Sequence, residues 1–221
     1  MQEYYKKRRP LITGHLILLY SRYICDGMKI LLIDNYDSFT YNLHHYLEQI
    51  TDDPVTVVRH DAMSAEDAGE FDLIMLSPGP GLPVDAGITM EVIRMWHQSK
   101  NIFGVCLGHQ AIGEFFGGKL RNLDEVHHGI ESSIDVVHPD ILYRNLPSTL
   151  TVGRYHSWVI DDHTLPPSLI VTARDQSGEI MSIRHTHYNV CGVQFHPESV
   201  MTPHGLQMIR NWVEAEREQN K

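Results

Sequence analysis

From Met28 onward, short apolar runs alternate with stretches whose apolar residues recur at helical spacing. Residues 29–33, 55–59, 73–76 and 102–105 have the length and apolar content of buried strands. Residues 41–50 and 90–98 predict helices, and residues 110–116 predict a third, ended by Gly117-Gly118. Strands alternating with helices imply an α/β domain: a three-layer, open, mixed but mostly parallel sheet with helices on both faces. The second half changes character. Residues 132–137, 150–152, 169–174, 179–184 and 190–194 read as strands with little helix between them, which predicts an antiparallel extension of the sheet. A last helix over 203–216 presents Leu206, Ile209 and Val213 on one face. No repeat or long linker interrupts the pattern, so residues 28–216 are read as one domain followed by a charged tail, 217–221.

The first 27 residues do not fit this pattern. A basic run, Lys6-Lys7-Arg8-Arg9, precedes a mildly apolar stretch broken by Gly14 and His15. That stretch is short of the roughly 20 apolar residues a membrane-spanning helix needs, and no small-residue cleavage motif follows it. Residues 1–27 are therefore read as a dispensable extension upstream of Met28.

Composition narrows the class of partner. With 221 residues, 42% of them hydrophobic, the chain can bury one sizeable core. A formal charge of -10 offers no basic field for phosphates, which disfavours nucleic acid and anionic membranes and favours small molecules or another protein. The three cysteines, Cys25, Cys106 and Cys191, have no metal-type spacing and suit a reducing, cytoplasmic setting. Among the 15 histidines, the pairs His44-His45, His127-His128 and His185/His187 lack convincing ligand spacing, so no metal site is expected.

Three segments carry candidate chemistry. In Gly104-Val105-Cys106-Leu107-Gly108-His109-Gln110 an apolar strand runs into Cys106 and a helix begins at once. Glycines two residues to either side remove the clashes that a sharp strand-to-helix turn would impose. The turn directs the sulfur to the crevice at the strand ends, beside the partial positive charge of a helix N-terminus. An isolated cysteine would read as a small buried hydrophobe; the flanking glycines favour a nucleophile. In Gln194-Phe195-His196-Pro197-Glu198-Ser199, His196 is a base of suitable pKa and Glu198 can fix its tautomer, although the string alone could be a surface turn. In Ser77-Pro78-Gly79-Pro80-Gly81, two glycines between prolines make a stiff loop whose N–H groups, with that of Leu107, could receive an oxyanion; alone it could equally be a tight turn.

Taken together and in this order, the three segments resemble the class I, or triad, glutamine amidotransferases over residues 28–212. The resemblance implies Cys106 as nucleophile, His196 as general base and acid, and Glu198 as its orienter. It further implies that L-glutamine lies against Gly79, Pro80 and Gly81, its amino-acid end gripped by Gln110 and by the backbone of Ser157 and Trp158. The family carries a smaller aliphatic residue at the Trp158 position. The segment Asp34-Asn35-Tyr36-Asp37-Ser38-Phe39-Thr40-Tyr41-Asn42 resembles the opening of the glutaminases of anthranilate and aminodeoxychorismate synthases. That likeness implies ammonia delivery to a separate synthase acting on chorismate, with no cofactor in this chain and magnesium required by the synthase. Anthranilate synthesis is the leading reading, with the aminodeoxychorismate branch, or service to both, beside it. Physically the segment offers aromatics for an interface, although a helix cap by Asp37 or Ser38 with core aromatics behind it explains part of the pattern. After His128-Gly129 this chain has Ile130-Glu131 where Lys or Arg is usual, a departure bearing on synthase contacts. A cysteine hydrolase acting on γ-glutamyl tails and a catalytically silent regulatory relative are the competing classes; filled glutamine-gripping positions and an intact triad argue against them.

Overall fold

The computed structural model describes residues 27–124 and 127–219; the N-terminal extension lies outside them, except for Gly27. Strands β1 (Ile30–Asp34), β2 (Val55–Arg59), β3 (Leu73–Leu76) and β4 (Asn101–Val105) are crossed by helices α1 (Thr40–Ile50) and α2 (Thr89–Trp96), and β4 leads into α3 (Leu107–Phe115). The second half contains β5 (Leu120–Asn122), β6 (Ile130–Val136), β7 (Thr149–Arg154), β8 (Trp158–Ile160), β9 (Leu169–Asp175), β10 (Ile180–His185) and β11 (Val190–Val193), and ends in α4 (Gly205–Gln219). Nine strands form one open sheet in the order β2-β1-β3-β4-β11-β10-β9-β6-β7.

Strand alternation explains the three layers. Ile30, Leu32, Leu73, Met75, Phe103 and Val105 face α1 and α4, meeting Leu43, Leu47, Ile209 and Trp212. Leu31, Ile33, Ile74, Leu76 and Ile102 face the other way, against Val92 and Ile93 of α2 and Ala111 and Ile112 of α3. A strand buried on both faces has no polar side to show, which is why these runs read as continuous apolar segments.

Several expectations are corrected. The pattern groups residues 190–194 with the antiparallel extension, yet β11 runs parallel to β4, pairing Val193 with Val105, and only β10, β9, β6 and β7 continue antiparallel. A four-residue apolar run carries no mark of its direction. The helix expected from Gln110 begins at Leu107, directly after the turn. A small antiparallel sheet of β5 and β8, which the apolar pattern does not announce, takes up Trp158. The last helix runs past 216 to Gln219, and Arg217 and Glu218 join it through ion pairs with Asp53 and Arg144.

Candidate active site

The parallel register places β4 and β11 side by side, so the residues that follow each strand emerge together at the carboxyl end of the sheet. Cys106 occupies the turn after β4 with φ 50° and ψ −98°, a region that non-glycine residues avoid. Its backbone is pinned on both sides: its N–H donates to the Val193 carbonyl at 2.8 Å and its carbonyl accepts from Gln110 N–H at 3.0 Å. The neighbouring glycines are required by close approach. A Cβ on Gly104 would lie 2.4 Å from the Gly108 backbone, and one on Gly108 would lie 2.5 Å from the Leu76 carbonyl oxygen.

His196 follows β11. Its N–H donates to the Gly153 carbonyl at 3.0 Å and its carbonyl accepts from the Thr202 hydroxyl at 2.6 Å. The ring packs against both Tyr155 and Phe39, with centroids 4.8 and 5.6 Å away, and those two rings also touch each other. Nδ1 is 2.7 Å from Glu198 Oε1, while Nε2 is buried without a hydrogen-bond partner among the described residues. Both side chains are almost wholly buried. Burial alone would lower the His196 pKa; the Glu198 carboxylate outweighs it and holds the imidazole well above its ordinary value.

The aromatics of the 34–42 segment serve two purposes that the sequence does not separate. Tyr36 and Tyr41 are exposed at 47% and 67%, not core residues, whereas Phe39 packs on the His196 and Tyr155 rings. The cap also differs from the expectation: Asp37 Oδ1 accepts from Phe39 N–H, and neither Asp37 nor Ser38 caps the helix from the N-cap position, which is Phe39. Asn35 stitches β1 to the loop after β3. Its N–H donates to Ser77 Oγ and its Nδ2 to the Ser77 carbonyl, both at 2.9 Å.

That loop approaches Leu107, the residue after Cys106, through Gly79, where a Cβ would meet Asn35 at 2.6 Å and the Leu107 side chain at 2.8 Å. Pro80 and Gly81 lie farther out, exposed, with Gly81 at φ 77°. Gln110 is buried beneath the site, and its Nε2 donates to the Trp158 carbonyl at 2.9 Å. The Ser157 carbonyl accepts from Leu123 N–H at 2.7 Å, so both carbonyls of the Ser157-Trp158 segment are already engaged. Trp158 itself is half-buried, Ile130 is exposed, and no group of three or more metal-ligating side chains is found among the described residues.

Sequence reasoning missed a buried polar network behind this surface. Arg154 Nη1 donates to Asp175 Oδ2 at 2.6 Å, Arg154 Nε donates to His156 Nε2 at 3.1 Å, and His156 Nδ1 lies 3.0 Å from the Trp158 carbonyl. Desolvation pushes the His156 pKa down to about 2, with Arg154 adding to the effect, and pushes that of fully buried His109 down to about 3. An unfolded histidine takes up its proton near pH 6.5, so below that value the unfolded chain binds protons that these folded rings refuse. Their stabilisation is complete above pH 6.5 and lost as pH falls, at about 1.4 kcal/mol per pH unit for each ring. His196 has the opposite sign: its contribution is complete below pH 6.5 and is lost as pH rises through its elevated folded value. Urea unfolding in a pH series should therefore show stability falling steeply from pH 6.5 to 4.5, with a shallower slope for His109→Leu. A flat profile over that window would mean that the two rings are protonated in the folded state.

A cysteine on a strained strand-to-helix turn, a buried histidine fixed by a carboxylate, and a glycine loop against the helix start form an arrangement suited to acyl transfer through a thiol nucleophile. The family model for glutamine amidotransferase class-I matches residues 31–215, and the chain belongs to that family. It is 44% identical over 193 residues to the aminodeoxychorismate/anthranilate synthase component 2 of Bacillus subtilis, covering 86% of this chain and 98% of that protein. It is 45% identical over 186 residues to the anthranilate synthase component 2 of Lactococcus lactis, covering 83% and 93% of the two chains. The aminodeoxychorismate synthase component 2 of Escherichia coli is also 45% identical over 186 residues, covering 83% and 98%. The solved structure of a putative GMP synthase subunit from Thermoplasma acidophilum superposes with a TM-score of 0.79 at 23% identity, covering 89% of this chain and 97% of that one, and so shares the fold. No helix among the described residues is long and apolar enough to cross a membrane.

Proposed function

We propose that this chain is the glutamine-hydrolysing component of a two-part synthase that aminates chorismate, with anthranilate as the leading product and aminodeoxychorismate as the second. The observation that carries the catalytic part is the pairing of His196 Nδ1 with Glu198, which leaves Nε2 to serve the Cys106 thiol on its strained turn. His196 Nε2 takes the thiol proton and the sulfur attacks the side-chain carboxamide carbon of glutamine. The resulting oxyanion is received by the backbone N–H groups of Leu107 and the Gly79 loop. Collapse expels ammonia, protonated by His196, and leaves a γ-glutamyl thioester; water, deprotonated by the same histidine, then releases glutamate and restores the thiol. Gln110 and the Ser157-Trp158 backbone hold the amino-acid end, with Pro80 and Gly81 at the rim. None of these steps calls on a cofactor in this chain.

The acceptor assignment rests on the relatives, two of which are named for one branch each and one for both. Exposed Tyr36, Tyr41 and Ile130 supply an apolar surface for a separate synthase partner. Mixing the chain with anthranilate synthase and aminodeoxychorismate synthase large subunits, with glutamine, chorismate and magnesium, tests this directly. Anthranilate formation is expected, with glutamate release faster than from the chain alone; product with neither partner would overturn the acceptor assignment.

A further inference from the structure

A fourth side chain reaches the sulfur. Gln194 is fully buried, and its Nε2 lies 3.6 Å from Cys106 Sγ while its Oε1 accepts from Gln110 Nε2 at 3.2 Å. A primary amide can be placed either way round in a site, so which end faces the sulfur must be argued. Here the polarity follows from groups that cannot reverse. Arg154 Nε only donates, so His156 Nε2 accepts and the His156 proton sits on Nδ1. That N–H donates to the Trp158 carbonyl, which only accepts and which also takes an N–H of Gln110. The Gln110 amide is thereby turned with its nitrogen inward, and its other N–H meets Gln194 Oε1. Gln194 is left with its nitrogen toward the sulfur. The far end of the chain of bonds is tied down by Asp175, whose Oδ2 holds Arg154.

We propose that Gln194 is a further catalytic residue, donating an N–H to the Cys106 sulfur whenever that sulfur carries negative charge; this rests on the reading of Cys106 as the nucleophile. The charge is present twice, before attack on the carboxamide and again when water breaks the thioester and the sulfur leaves. A donor to an anion is worth more than one to a neutral group, and this one is oriented in advance, so no reorganisation accompanies either step. Gln194 loses no proton and forms no bond. The other ionisable groups around the sulfur, His196 and Glu198, are untouched by its replacement.

The test compares Gln194→Met and Gln194→Glu with the parent in the full chain. It follows iodoacetamide alkylation of Cys106, read by peptide mass, across a pH series, and glutamate release from glutamine with the synthase present. In Gln194→Met the alkylation midpoint should move to higher pH, and kcat should fall roughly ten- to a hundredfold, the scale of one hydrogen bond to a charged group, with the smaller change in KM. Gln194→Glu keeps the bond from Gln110 but sets carboxylate oxygen against the sulfur, so its midpoint should move further. Profiles superimposable on the parent in either folded variant overturn the proposal. Should neither fold, the parent decides: the Gln194 side-chain amide resonances should shift as Cys106 titrates, and their constancy overturns it. Cys106→Ala separates the two levels: persistent glutamine hydrolysis there removes the reading of the site itself, whereas an inactive Cys106→Ala beside a parent-like Gln194→Met removes only the role of Gln194.

Discussion

Exchange of Cys106 for alanine should abolish glutamine-dependent amination in the assembled enzyme while ammonium-dependent amination continues. Removing a nucleophile from a cooperating array typically costs on the order of 10⁴-fold or more, because the remaining members have nothing to activate. Cys191 offers no substitute: it is fully buried in β11, and desolvation pushes its thiol up to about 12. The fold should survive, since alanine removes only the sulfur and its strained backbone stays pinned by Val193 and Gln110. Glutamine and ammonium salts supplied separately to the complex give the two rates. Loss of both would point to a folding or docking defect, and retention of both would show that Cys106 is not the nucleophile.

The largest effect on stability is expected at Asp175, far from the sulfur. Its carboxylate accepts from Arg154 through Oδ2 and, through Oδ1, from the backbone N–H groups of Ser177 and Glu179 and the Ser177 hydroxyl. Burial would raise its pKa, but these donors and the Arg154 charge hold it below the ordinary carboxylate value. The Asp175 and Arg154 side chains are each only 4% exposed, so Asp175→Ala strands a guanidinium in the interior and undoes the turn between β9 and β10. Breaking a buried pair in this way costs about 3–5 kcal/mol, which for a chain of this size lowers Tm by roughly 6–20 °C. Differential scanning calorimetry measures it directly. A shift of only a degree or two would show that Arg154 finds water or another acceptor, and that the network beneath Trp158 tolerates its loss.

The layered sheet and the sharp turn at Cys106 were legible because each is written locally. Buried parallel strands print as apolar runs, and the Gly104/Gly108 pair around Cys106 is the chemical trace of a turn with no room for side chains. The network from Asp175 to Gln194 was not legible. Its members are ordinary polar residues whose partners lie 48 or 84 positions away, as Gln110 is from Trp158 and from Gln194, and no periodicity records such pairs. Phe39 was hidden for a related reason, since an aromatic near a helix start looks the same whether it packs in the core or against the His196 imidazole. Gln194 does stand two positions before His196, and a fully polar amide ending an apolar strand was the one available signal.

The insertion of β11 between β4 and β10 also sets when the chain becomes reactive. Cys106 and His196 meet only where β11 returns to the centre of the sheet and pairs with β4, a contact of high sequence separation. During synthesis, a ribosome must extend the chain nearly to α4 before His196 can join Cys106. A chain cut short before β11 therefore carries Cys106 without the His196 and Glu198 side chains.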